Sequence, residues 1–402
     1  MEIFIARQPI FTVHKRLFAY ELLYRGTKTA TLGNTSGNKA TTGVLSSAFL
    51  TEGIEKISGS KPCFINFTRE LLLQNLPASF SSKHLVVEVL EDIPATADVV
   101  DACRLLRRDG YTIALDDFTY DPSLEPLIAV ADIIKFDFRL TPANTLHRTL
   151  HRLSRHKLKY LAEKVETHEE FIQASRLGFH YFQGYFFSRP ERVRIHEIDS
   201  GKASLVSLLA EVSQKRTTLK RLEKIIQSDV GLTYKLLRFL NSSYFYRLNK
   251  IESIAHAMAY LGENELRRFI ILVIVSELIT DKPGELMRLA LVRAKMAELL
   301  AENTALAKNA DEIFLLGLFS LLDAMLDSSM EYICKQLSLQ DHLHHALVSQ
   351  SGPYAPFLQV VTAYEKRDKE TCLAGLKSLA LSSEGLHKHY LEAIAFSSSI
   401  FD

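Results

Sequence analysis

Cysteine is scarce. Cys63, Cys103, Cys334 and Cys372 are far apart and form no CxxC pair, which leaves no basis for a zinc ribbon or a disulfide framework and points to a reducing compartment. An excess of charge of one sign is also missing: 48 Lys and Arg face 47 Asp and Glu, a formal charge of +1. No global field therefore draws the chain to nucleic acid or to an anionic membrane, and no basic and aromatic residues interleave as a base-reading surface would require. Glycine and proline are few, at 17 and 11, which argues against long disordered tracts. The longest apolar run, residues 269–275, has seven residues, where a membrane helix needs ~20. The first residues, Met1-Glu2-Ile3-Phe4, hold no signal-peptide core. The expectation is a cytoplasmic chain, folded end to end, with no membrane span and no nucleic-acid partner.

What is present falls into two halves with different periodicities. Up to about residue 190, short β-branched and aromatic runs at residues 3–5, 18–23, 64–67, 85–90, 112–115, 133–136, 160–162 and 181–187 alternate with helical stretches such as 97–108, which ends in Asp109-Gly110. Leu85-Val86-Val87 and Ile133-Ile134 are apolar on successive residues, as in parallel strands covered on both faces. Eight such runs suggest a (β/α) barrel, with an open doubly wound sheet as the alternative. Beyond a polar stretch at 191–202, Leu, Ile and Ala recur at three- and four-residue spacing, as in 289–300 and 315–326. The fold class expected is α/β plus all-α, a barrel over residues 1–200 and a helical domain over 201–402.

In the first half the polar residues fall at strand ends. Glu21 sits within Ala19-Tyr20-Glu21-Leu22-Leu23, Asn66 follows Phe64-Ile65, and Glu88 follows Leu85-Val86-Val87. Asp116 and Asp117 follow Ile113-Ala114-Leu115, Lys135 follows Ile133-Ile134, Glu163 follows Leu161-Ala162, and Gln183 follows Tyr181-Phe182. In a parallel barrel such positions converge on the C-terminal mouth, where the active sites of that fold lie. Several carboxylates facing one mouth raise one another's pKa, and a divalent cation neutralises them. All-oxygen ligation points to Mg²⁺ or Mn²⁺. In the second half His342, His344 and His345 lie close together but read as a solvated polar face, and no adjacent His-Asp pair occurs after residue 203.

The first half resembles the EAL-domain family of cyclic-di-GMP phosphodiesterases, through Arg7-Gln8-Pro9-Ile10, Tyr20-Glu21-Leu22-Leu23-Tyr24-Arg25, Phe64-Ile65-Asn66, Glu88-Val89-Leu90-Glu91, Asp116-Asp117-Phe118, Ile134-Lys135-Phe136-Asp137, Ala162-Glu163-Lys164-Val165-Glu166-Thr167 and Gln183-Gly184-Tyr185. The second half resembles the HDOD domain, through Asp229-Val230-Gly231-Leu232, Leu236-Leu237-Arg238, Asn241-Ser242, Leu261-Gly262 and Phe314-Leu315-Leu316-Gly317-Leu318-Phe319-Ser320. The resemblance implies a (β/α) barrel of the EAL type that hydrolyses cyclic-di-GMP to linear pGpG with two metal ions. It places Glu21, Asn66, Glu88 and Asp116 around one ion and Asp116 with Asp117 near a second. Lys135, Glu163 and Gln183 take catalytic roles, Gln8, Arg25 and Pro190 contact substrate, and Glu91 and Glu166 support the loops. It also implies a regulatory HDOD domain with a protein partner, and a homodimer.

Three departures stand out. Glu21-Leu22-Leu23 replaces the signature Glu-Ala-Leu, Thr119-Tyr120-Asp121-Pro122 replaces a glycine-rich loop, and Lys164 stands where the family has glycine. The altered loop bears on the second ion, so two readings stay open: a phosphodiesterase, or a degenerate EAL-HDOD protein that binds the nucleotide or a protein partner without hydrolysis.

Overall fold

A computed structural model describes residues 4–25, 54–188, 200–214, 217–228, 254–280 and 282–401. The chain divides into two compact units, Met1–Phe187 and Ser188–Asp402. In the first, eight strands close a barrel in sequence order: β1 (Phe4–Thr12), β2 (Leu17–Arg25), β3 (Cys63–Phe67), β4 (Leu85–Val89), β5 (Thr112–Leu115), β6 (Ile133–Asp137), β7 (Lys159–Glu163) and β8 (Tyr181–Gln183). The closed barrel, and not the open sheet, is the fold. Strands β2 to β8 are parallel to their neighbours, but β1 runs antiparallel to both β2 and β8.

That reversal departs from the all-parallel expectation, and the connection explains it. Only residues 13–16 separate β1 from β2, closed by bonds from the Lys15 N–H to the Thr12 carbonyl at 2.9 Å and from the Thr12 N–H to the Arg16 carbonyl at 2.9 Å. A parallel pair needs a crossover of a dozen residues or more, so four residues can only make a hairpin. Strand β1 is also longer than residues 3–5, because Gln8, Pro9 and Ile10 pair with Glu21, Tyr20 and Ala19.

The helix expected over 97–108 is α1 (Ala97–Arg108); Asp109 caps it and Gly110, at φ +92, turns the chain away. Around the barrel follow α2 (Ala143–Leu153) and α3 (His168–Arg176), the latter started by a reciprocal capping box between Thr167 and Glu170. The last strand stops at Gln183, short of residue 187, because Gly184 takes φ +146 and a short 3₁₀ turn, Phe186–Ser188, succeeds it. A Cβ at Gly184 would lie 1.9 Å from the Val165 carbonyl oxygen, so only glycine lets β8 pass the loop that leaves β7. Gly184→Ala is therefore expected to destabilise the barrel by about 2–4 kcal/mol through strain and overpacking. An unchanged denaturant midpoint would contradict this.

The second unit is helical, including α4 (Ser200–Ser213), α5 (Gly284–Glu302), α6 (Ala310–Phe319), α7 (Ala355–Glu365) and α8 (Leu386–Phe401). Pro283-Gly284 reads in the sequence as a turn, and in the structure Pro283 is the N-cap of α5 and Gly284 its first residue. The period over 315–326 does not form one helix: α6 ends at Ser320, whose hydroxyl donates to the Gly317 carbonyl at 2.7 Å, and a short helix, Leu322–Leu326, resumes. Gly317 brings the backbone of α6 onto α5, since a Cβ there would meet Ala294 backbone atoms at 2.5 Å. His342 and His345 are exposed. The HDOD-like motifs at 229–242 lie outside the described residues. Among the described residues no helix is long and apolar enough to cross a membrane.

Candidate active site

One residue from each strand, Ile10, Ala19, Phe64, Val86, Ala114, Ile133, Leu161 and Tyr181, forms a buried layer within the barrel. Side chains on a strand return to the same face every second residue. Two positions further along β2 to β8 stand Glu21, Asn66, Glu88, Asp116, Lys135, Glu163 and Gln183, and two positions back along the reversed β1 stands Gln8. The polar residues singled out at the strand ends, apart from Asp117, are thus the next layer of the barrel. Sheet register sets Gln8 beside Glu21, and Asn66 beside Glu88.

At the centre of this layer is the ammonium of Lys135, with no side-chain exposure. Its Nζ lies 2.6 Å from Glu88 Oε1, 2.7 Å from Asp116 Oδ1, 2.8 Å from Glu163 Oε1 and 3.6 Å from Glu21 Oε1. The Gln183 amide donates to Glu21 Oε2 and joins β8 to β2. Burial alone would drive Lys135 towards neutrality, but the surrounding carboxylates outweigh it and hold the ammonium charged. Burial raises Glu88 well above the usual carboxylate range, opposed by Lys135 and reinforced by Glu21 and Asp116. Glu163 is pushed up to about 8, first by burial and then, against the pull of Lys135, by Asp116 and Glu21.

Four carboxylates around one ammonium are short of positive charge. Glu88 Oε2 and Gln183 Oε1 are buried acceptors without a hydrogen-bond donor. Acceptor-only oxygens in a desolvated, acid-rich pocket suit a hard divalent cation. As they stand, no three acidic, imidazole or thiol side chains among the described residues converge closely enough to hold an ion; the Lys135 ammonium lies among them instead.

The other candidates lie further out. Asp117 is exposed, at φ +38, between Asp116, whose N–H donates to the Val89 carbonyl at 3.0 Å, and Phe118, whose N–H donates to the Lys135 carbonyl at 2.9 Å. Asp117 acts on Lys164 rather than on Lys135. The loop without glycines is held within the barrel unit: Asp121 accepts from the Ser123 N–H at 2.8 Å, the Tyr120 hydroxyl donates to Glu125 at 2.8 Å, and the Arg152 guanidinium lies 5.0 Å from the Tyr120 ring centre. Glu91 is exposed after β4. Glu166 pairs with Arg139 at 3.1 Å and so ties the loop after β7 to the loop after β6. Lys164 adopts φ +56, the conformation that favours glycine. The Arg25 side chain and all of Pro190 lie outside the described residues.

Sequence reasoning passes over the role of Asp137. Its carboxylate accepts from the Arg139 and Leu140 N–H groups, each at 2.9 Å, and from the Lys164 ammonium. It is opposite Glu163 in the register of β6 and β7. Burial works against its charge, and these hydrogen bonds overcome it to hold the carboxyl below its ordinary range. The available signal was its position two residues after Lys135, on the same face of β6.

Comparison with known proteins matches residues 54–190 to the EAL domain and residues 201–346 to the HDOD domain. The chain is 38% identical to the protein YuxH of Bacillus subtilis over 100% of both chains. It is 34% identical to a Vibrio cholerae protein named cyclic di-GMP phosphodiesterase CdgJ, over 99% of this chain and 93% of that one. Among solved structures, an EAL domain protein from Listeria monocytogenes aligns with 46% of this chain and 87% of its own at a TM-score of 0.39 and 20% identity. The EAL match begins after β2; Gln8 and Glu21, which precede it, join the site because β1 and β2 complete the barrel.

Proposed function

The chain belongs to the family that joins an EAL domain to an HDOD domain, and from that premise we propose that it is a cyclic-di-GMP phosphodiesterase that yields linear pGpG. The observation that carries this reading is the buried layer in which Glu21, Glu88, Asp116 and Glu163 surround Lys135. The relative named a cyclic di-GMP phosphodiesterase, similar over nearly its whole length, supports it. In the proposed division, residues 1–200 carry the chemistry, and residues 201–402 regulate it and bind a protein partner in the cytoplasm. A homodimer is proposed as well.

Glu21, Asn66, Glu88 and Asp116 would hold one Mg²⁺ or Mn²⁺ ion, and Asp116 with Asp117 a second. When bound, such ions polarise phosphate oxygens and lower the pKa of water, so that hydroxide is available at neutral pH. The chain's own residues do the rest. Gln8, Arg25 and Pro190 grip the nucleotide, Lys135 offsets negative charge growing on the phosphate, and Glu163 completes the acidic shell. Gln183, fixed by its bond to Glu21, orients the attacking water. Glu91 and Glu166 steady the loops at the mouth. Water adds to phosphorus, the bond to the 3′-oxygen breaks, and the proton leaves with that oxygen, so one diester of the ring becomes a terminal 5′-phosphate.

The test is incubation of the full chain with cyclic-di-GMP and a divalent ion, followed by separation of the nucleotides. A site demanding near-octahedral geometry at ~2.0–2.1 Å should work with Mg²⁺ or Mn²⁺ and be inhibited by the larger Ca²⁺. Turnover supported equally by Ca²⁺ would remove the two-ion reading. A second reading, binding without hydrolysis, draws on the exposed position of Asp117; tight nucleotide binding with no linear product would select it.

A further inference from the structure

We infer that Lys135 is the resident counter-ion of the acidic layer in the metal-free protein, so that a divalent cation enters by exchange with its ammonium and not by simple addition. This rests on the cation-site reading above. The geometry is specific: a group with three N–H donors lies within 2.8 Å of Glu88, Asp116 and Glu163, and 3.6 Å from Glu21, with no solvent exposure. Two of its three nearest acids, Glu88 and Asp116, are proposed ligands. A cation that draws on those carboxylates competes with Lys135 for the negative charge that Glu88 and Asp116 supply. Ammonium and cation would otherwise share the same few ångströms of a low-dielectric pocket, where like charges repel most strongly.

Lys135 would then have two effects of opposite sign. It stabilises the barrel when no ion is present, because clustered carboxylates stripped of water are costly without positive charge. It also weakens cation binding, because part of what the ion gains is spent in displacing the ammonium.

The test is Mn²⁺ binding, measured by the paramagnetic resonance of free ion at pH 8.5, where protons compete least. The full chain and its Lys135→Met variant are compared, with the fold of each checked by circular dichroism. The variant is expected to bind Mn²⁺ at least ~10-fold more tightly, the size of coupling between close charges. It is also expected to melt lower than the parent in chelator and to gain more in melting temperature when Mn²⁺ is added. Equal or weaker Mn²⁺ binding by the variant, with the parent binding normally, overturns the inference and leaves the cation-site reading standing. No binding by either protein removes both. Should the variant fail to fold, lysine-selective labelling of the parent decides: the ammonium resonance most protected from solvent should shift on Mg²⁺ addition, and an unchanged resonance at saturating Mg²⁺ overturns the exchange.

Discussion

Glu21→Ala is expected to abolish conversion of cyclic-di-GMP to linear product, by more than the ~10–100-fold that follows loss of an outer-shell partner of a metal site. Glu21 is 5% exposed, accepts from the Gln183 amide and lies 3.6 Å from Lys135. Its removal takes away one proposed ligand and also releases Gln183, the group proposed to orient water. The loss should appear in kcat, while nucleotide binding measured without turnover stays within a few-fold, because interactions made only in the transition state act on kcat and kcat/KM together. Chromatography of the nucleotides and a thermal melt of the same preparation check it. A folded Glu21→Ala protein that hydrolyses at even a tenth of the parent rate would show that the acidic layer is not the catalytic centre.

Arg293→Met should give the largest effect on stability. The Arg293 guanidinium on α5 grips Glu365 on α7 through bonds of 2.8 to 3.0 Å and donates to the Ser320 hydroxyl at 3.2 Å, with side chains only 8% and 5% exposed for Arg293 and Glu365. Burial already raises the Glu365 carboxyl above its usual range, although Arg293 pulls it down. Removing the guanidinium leaves a buried charge without its main compensation, which costs about 3–5 kcal/mol. Its folded pKa then rises further above the unfolded value. A raised folded pKa contributes stability that is lost as pH climbs through it, so the variant's deficit should be larger at pH 8 than at pH 5. Replacing both members, Arg293→Met with Glu365→Leu, should recover most of the loss, since an apolar pair of similar volume is often as stable as the ion pair. Denaturant unfolding of the parent and the two variants measures this, and a loss below about 1 kcal/mol for Arg293→Met would refute it.

Much of the barrel was legible because its information is local. An apolar residue two positions before a polar one, repeated in seven strands from Ala19 and Glu21 to Tyr181 and Gln183, states which face of each strand is inward and where the polar layer begins. Helix stops such as Asp109-Gly110 are equally local, as is the periodicity that separates the α/β half from the helical half. Reversal of β1 was within reach too, since four residues between strands allow only a hairpin; it was missed because Gln8 and Pro9 do not read as strand.

What the sequence could not decide depends on ring closure. Gln183 meets Glu21 across 162 positions, and Arg293 meets Glu365 across 72; no pattern a few residues long encodes either pairing. Alternation places Glu21, Glu88, Asp116, Lys135 and Glu163 on inward faces, but only the closed circle of strands brings four acids onto one ammonium, while Asp117, past the end of β5 at φ +38, is exposed. The sequence by itself determined the class of each half, the inward face of each strand and the oxygen-rich character of the site, because a two-residue or 3.6-residue period fixes orientation. The tertiary structure alone decided that Lys135 stands at the centre of the acids, that Asp137 holds Lys164 beside them, and that α5 and α7 are joined by a buried ion pair, because distance between remote residues is set by how strands and helices close on one another.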